Sequence, residues 1–353
     1  MDVVGASPPD LPDSGSVSSR LVSSLAVGVL AALLSVGCAE DPVPDQPQRP
    51  ADASPEPAPP FDPRAEPAEA VLSMVPQHVS VVTVTDWDRG RVQLDQPDLT
   101  SNDMITDRLE FWRRAETEAA ALTSGLLREE ESRLALDYGF TQDDVDWEAR
   151  FTGEGRPGFV IALRPGLPLD GVRRAVADGV GQLAGAELRR ADHLVVSGVA
   201  DQDVWAHETR WAPLVDEPAA ATYLQRGCVP LDRALGPEAG VAERDALLAL
   251  QSKGHPVTTL DPLDGFAVSF GDHEATVRVQ PDRDDLFERL RLGEDWPVAG
   301  FPQEYVDGAA DPASGRIGYT LPRPPAAVGL ALVEQLPFAV CDEVVAGEEP
   351  TGR

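Results

Sequence analysis

The sequence predicts an α+β protein built as two sequential halves, each with a small, mostly antiparallel sheet and packed helices. Two observations predict it. Apolar residues alternate with polar ones over short stretches and then switch to steps of three and four, so strands and helices are interleaved. One order of such stretches, strand-strand-helix-strand, occurs twice, which suggests an internal duplication. The halves are expected over residues 68–204 and 205–345.

In chain order, the β-branched run Val79–Thr85 reads as a buried strand bounded by Pro76 and the Asp86-Trp87-Asp88 turn. Thr100 and Asp103 can form a capping box before a helix carrying Ile105, Leu109, Trp112, Ala115, Ala119, Leu122 and Leu126 on one face. Gly125 can divide that run, with a second helix ending at Tyr138 and Gly139 as its cap. Trp147, Ala149 and Phe151 alternate with Glu148, Arg150 and Thr152, a period of two, and Phe159–Leu163 is a continuous apolar strand. Leu169, Val172, Val176, Val180 and Leu183 make a helical stripe, and Leu194–Val196 a following strand. The same order returns with strands at Phe266–Phe270 and Ala275–Val279 about a Gly271-Asp272 turn, a helix at Pro281–Leu292 and a strand at Arg316–Leu321. Between the copies, Pro218–Arg226 reads as a helix closed by Gly227, and Val241–Gln251 as another. Pro324-Pro325 can open a last helix, and residues 346–353 are an acidic, apolar-poor tail.

Charge narrows the partners. The 353 residues carry 29 basic and 60 acidic side chains, a net charge of -31. Affinity for nucleic acid comes largely from Lys and Arg, so no nucleic-acid partner is expected. Attraction of the folded part to anionic head groups is disfavoured for the same reason.

The N-terminus addresses the compartment. After Arg20, the uncharged run Leu21–Gly37 ends in small residues, the pattern of a secretory signal. It is followed at once by Cys38, and Val36-Gly37-Cys38 resembles the bacterial lipobox. That resemblance implies cleavage before Cys38 and a diacylglyceryl group on its thiol, with residues 1–37 as signal peptide. An uncleaved anchor and an ordinary cleaved signal are the other readings of the run. Residues 39–67 hold ten prolines and seven acidic side chains, so residues 38–67 are expected to be a disordered tether. At ~3.1 Å per residue in polyproline II, it could reach about 90 Å. The lipobox, tether and arginine bias together resemble uncharacterised secreted lipoproteins of actinobacteria. Thr83-Val84-Thr85-Asp86-Trp87 and Asp143-Asp144-Val145-Asp146-Trp147-Glu148 are similar to segments of that group. The resemblance implies an extracytoplasmic, lipid-anchored location and no chemistry.

With Cys38 committed to lipid, Cys228 and Cys341 remain, an even number in an exported protein, and are expected to form a disulfide. Two buried free thiols are the alternative.

No catalytic residue, metal site or cofactor is predicted. Asp143, Asp144, Asp146 and Glu148 lack the glycine and glutamate of a calcium loop and read as a solvated loop entering a strand. The glycines of Gly179-Val180-Gly181 fall at a helix end, where they terminate rather than cradle a dinucleotide. The histidines His78, His193, His207, His255 and His273 show no metal-ligand spacing, and no nucleophile elbow occurs. Trp205, His207 and Trp211 could stack on a sugar, against core packing as the plainer reading. The expectation is therefore a non-catalytic binding domain of the cell envelope. Its partners would be the membrane, through Cys38, and an envelope protein or glycan. An envelope hydrolase acting on a glycan or ester is the alternative.

Overall fold

The computed structural model describes residues 57–153, 157–252 and 260–341. Cys38, the signal segment and the tail at 346–353 lie outside the described residues.

The strands are β1 (Val79–Asp86), β2 (Val145–Gly153), β3 (Gly158–Leu163), β4 (Glu187–Arg189), β5 (Leu194–Ser197), β6 (Ala221–Arg226), β7 (Gly265–Phe270), β8 (Glu274–Arg278), β9 (Val306–Asp311) and β10 (Arg316–Thr320). The helices are α1 (Pro67–Ala70), α2 (Trp87–Gln93), α3 (Ile105–Glu118), α4 (Glu131–Arg133), α5 (Leu169–Ala177), α6 (Leu231–Leu235), α7 (Val241–Ser252), α8 (Leu286–Glu294), α9 (Phe301–Glu304) and α10 (Pro324–Leu332).

All ten strands join one antiparallel sheet in the order β4-β5-β3-β2-β1-β6-β7-β8-β10-β9. This corrects the expected two halves with separate small sheets. The segment that would have divided them, Pro218–Arg226, is not a helix: it holds the sixth strand, which pairs with β1 on one side and β7 on the other and makes the sheet continuous. Outward from the β1–β6 pairing the order is β1-β2-β3-β5-β4 to one side and β6-β7-β8-β10-β9 to the other.

The body also takes in residues assigned to the tether. Ala58 donates its amide to the Asp201 carbonyl, Phe61 stacks obliquely on Trp147, and Pro67 opens α1. Packing therefore begins before the expected boundary at Ala68.

Cross-strand partners point to the same side of a sheet, so the pairing register sorts side chains into faces. One face carries Val82, Val84, Ala149, Phe151, Val160, Leu194, Leu224 and Ala267. It is covered by α1 and by Trp205, Trp211 and Leu214 from the 198–217 segment. The other face bears two separate helical caps. One sets α2, α3 and α5 on Phe159, Ile161 and Val195; the second sets α8, α9 and α10 on Tyr223, Phe266, Val268, Val277 and Ile317.

Cys228 and Cys341 adjoin, with sulfurs 1.95 Å and α-carbons 5.8 Å apart, the geometry of a disulfide. Beside them the buried Arg289 guanidinium donates to the Phe338 and Val340 carbonyls, each at 2.8 Å, and to Asp285. That clamp holds the C-terminal segment against α8.

Among the described residues no helix is long and apolar enough to cross a membrane.

Candidate functional site

The strip of sheet between the two caps is polar. The register aligns Glu148 and Arg150 of β2 with Thr85 and Thr83 of β1, and these with Ala221 and Tyr223 of β6. On the opposite face the same two central strands present Val82, Val84, Ala149 and Phe151. The alternation of β2 therefore places its polar side under the gap between helices.

One end of this strip is sealed. The Glu148 carboxylate is fully buried and accepts from the Leu126 amide at 3.0 Å, from Gln142 Nε2 at 2.9 Å and from the Thr123 hydroxyl. Thr85 Oγ1 accepts from the Leu122 amide at 3.1 Å. A buried carboxylate is costly unless such donors surround it. These contacts explain why α3 stops at Glu118 with Ala119 extended, short of the expected Leu126. The chain leaves the helix so that residues 122–126 can turn their donors onto the strip.

The acidic cluster is likewise interior, which corrects the expected solvated loop. Asp143 and Asp144 are 1% and 4% exposed. Asp143 accepts from Trp112 Nε1 at 2.8 Å and from Arg108, while Asp144 accepts from the Thr141 amide at 2.9 Å. They brace α3 against the start of β2; among the described residues no group of three His, Cys, Asp or Glu side chains is placed for a metal. Asp146, also on β2, lies between Arg91 and Arg164, and burial raises its pKa. Asp86 caps α2 through the Arg89 amide at 2.9 Å; burial pushes its carboxyl up to about 6 against the pull of that amide and the Arg89 guanidinium.

The other end of the strip is open. A groove of about 470 Å³ lies over it, a size usual for small-molecule sites. Arg150 is on its floor. One wall is Trp87, Trp112, Ala115 and the 119–124 segment; the facing wall is Pro325, Val328, Gly329 and Leu332 of α10. Trp112 meets Trp87 edge to face at 4.8 Å and carries the Arg128 guanidinium 4.5 Å above its ring. Arg128 in turn pairs with Glu116 at 2.9 Å. The indole Nε1 of Trp87, a residue 2% exposed, has no hydrogen-bond partner among the described residues. Among the described residues no carboxylate pairs with the exposed Arg150 guanidinium.

A second hollow of about 380 Å³ adjoins the groove through Ala119 and Pro325 and contains Glu118, Asp272 and His273. Glu118 is bound by Arg114 at 3.0 Å, and His273 Nδ1 lies 3.2 Å from the Leu321 carbonyl.

The remaining sequence candidates fall elsewhere. Trp205 and Trp211 stack at 4.0 Å, wholly buried, with Arg226 over both rings, so neither is a platform for sugar. Gly179, at φ 64°, follows the end of α5. The groove itself was not foreseen. Its one signal in the sequence is the Glu148-Arg150-Thr152 side of β2, which is polar in a strand flanked by apolar elements.

The fold and groove define a single-sheet α+β protein with a ligand-sized opening between two helical caps. Compared with known proteins, the chain matches no family model, no curated protein and no solved structure.

Proposed function

We propose that the chain is an exported, lipid-anchored binding protein whose groove takes a ligand at the outer face of the membrane. The lipobox-like Val36-Gly37-Cys38 and the proline-rich stretch after it support the location. So does the Cys228–Cys341 pair, because disulfides persist in oxidising compartments. The observation that carries binding is the groove over Arg150, with an unpaired guanidinium on its floor and an apolar helix as its wall. An anionic ligand there would pair with the Arg150 guanidinium, which no carboxylate among the described residues engages. The carboxylates near it are taken: Glu148 by three donors and Glu116 by Arg128. That arrangement suits holding a molecule better than cleaving one.

The adjoining hollow with Glu118, Asp272 and His273 favours the second reading, a hydrolase acting on a glycan or ester. It is the lesser one, because Glu118 is tied to Arg114 and the Thr117 hydroxyl to helix carbonyls.

The test is purification of the full chain from its native envelope with mass spectrometry of what it retains. A bound small molecule in the native protein, absent from a Gly329→Trp variant that fills the groove, is expected. An empty native protein that hydrolyses ester or glycan substrates would overturn the reading. Location is tested on the same preparation. The lipid-anchored form requires Cys38 at the mature N-terminus carrying two acyl chains, since one chain holds a protein at a membrane only marginally. Unmodified Cys38 within an intact N-terminus contradicts it.

A further inference from the structure

We infer that the ligand of this groove is an aliphatic carboxylate, an anion with a hydrocarbon body, held by Arg150 at the floor and by α10 along the wall. The inference rests on the reading of the groove as a binding site and adds the chemistry of what it binds.

Charge decides between anion and cation. Although acidic side chains outnumber basic ones by 60 to 29 in the chain, the groove itself presents a guanidinium and carboxylates that are already engaged. Arg150 projects from the central region of the sheet, where the register fixes it between Phe159 of β3 and Thr83 of β1. Glu148, two residues away on the same strand, is sealed beneath Thr123 and saturated by donors. Glu116 is held by Arg128. A cationic ligand would thus meet no free carboxylate in the groove and one free guanidinium. An uncharged ligand would cover that guanidinium and leave it unpaired, which costs free energy in a partly desolvated site. A carboxylate matches its planar fork of donors.

The walls decide the rest of the molecule. Pro325, Val328 and Leu332 on one side and Ala119, Ala121 and Leu122 on the other are all apolar, and Leu332 is 48% exposed along the opening. Covering such surface favours binding by about 25 cal/mol per Å² of apolar area. The aromatic rings nearby are occupied: Trp87 and Trp112 pack against each other, and Arg128 covers Trp112. An aliphatic chain fits these walls where a second aromatic ring would have no free face to stack on.

Titration calorimetry of the full chain with decanoate, decanol and decylamine, each below its micelle-forming concentration, tests this. Decanoate should bind, with the other two weaker by at least about tenfold, the lower end expected for a charged hydrogen-bonded pair. Arg150→Met should weaken decanoate by about tenfold to a hundredfold while melting like the native protein, and Arg150→Lys should recover part of the loss. Leu332→Asp should weaken decanoate and decanol, which lose apolar wall without gaining a partner. Equal binding of the three, unchanged by Arg150→Met but weakened for decanoate and decanol by Leu332→Asp, would overturn the carboxylate and leave the groove as a site. Failure of all three to bind, or binding indifferent to Leu332→Asp, would overturn the groove reading and this inference with it.

Discussion

Individual side chains carry the largest consequences where polar atoms are interior. Glu148 satisfies the Leu126 amide, Gln142 Nε2 and the Thr123 hydroxyl at once. Glu148→Gln keeps the shape but places an amide NH₂ where only acceptors are wanted, so at least one donor is orphaned. It should cost about 1–3 kcal/mol in urea unfolding; an unchanged midpoint would contradict the network. Asp86 gives the pH-dependent case. Its folded pKa of about 6 lies above the reference value of 3.8, so the folded state binds the proton more tightly. The stabilising contribution of protonation is complete below about 4 and lost as pH rises through 6. Asp86→Asn keeps the cap on α2 and removes the buried charge. It should therefore stabilise the protein at pH 7 by on the order of 2 kcal/mol, with the gain fading toward pH 4. Melting curves across that range check the sign. None of this was legible beforehand. A run of acids such as Asp143, Asp144, Asp146 and Glu148 looks solvated until the donors that bury it are known, and those come from residues 108–142 through contacts that no local pattern encodes.

At the scale of elements, the sequence was readable wherever one face was buried. The alternation in β2, the apolar run of β3 and the stripe of α5 all correspond to observed elements. Gly139 does cap its helical segment, at φ 77°. The misreadings have physical causes. β6 is buried on both faces, so Ala221–Arg226 shows no alternation, and its alanines, leucine and following Gly227 imitate a helix. β9 is an edge strand of Val, Asp, Gly and Ala, residues with little strand preference apart from the valine, and it carried no visible signal. The turn between β7 and β8 is shifted as well: Gly271 donates to the Glu274 carbonyl, so Asp272 and His273 form its loop. Strand placement can be tested at Gly265, the first residue of β7, where a Cβ would lie 2.4 Å from the Trp211 ring and 2.9 Å from the Gln225 carbonyl. Trp211 is fully buried and stacked on Trp205, so it cannot yield. Gly265→Ala should destabilise by about 1–3 kcal/mol, the usual cost of overpacking. A neutral result in chemical denaturation would contradict the packing of β7 against the tryptophan pair.

For the whole molecule, continuity of the sheet brings two helical caps side by side on one face, with the groove between them. Two separate sheets would each have closed their own core. A single sheet with two caps on one face puts a polar strip between them, buried at Glu148, Thr85 and Thr83 and open at Arg150. The Cys228–Cys341 pair acts at the same scale, joining residues 113 positions apart on the side of the second cap. A loop of that size contributes about 4–5 kcal/mol in the chain-entropy model. The Cys228→Ser, Cys341→Ser double variant should accordingly melt well below the native protein under oxidising conditions, and equal melting would show the bridge to be without effect. Amide chemical-shift mapping during decanoate titration probes the groove between the caps most directly. Perturbations should concentrate at residues 119–124, at Arg150 and its neighbours on β2, and along α10. Shifts gathered at the hollow around Leu235, Glu238 and Gln335, or spread evenly over the surface, would contradict the groove as the site.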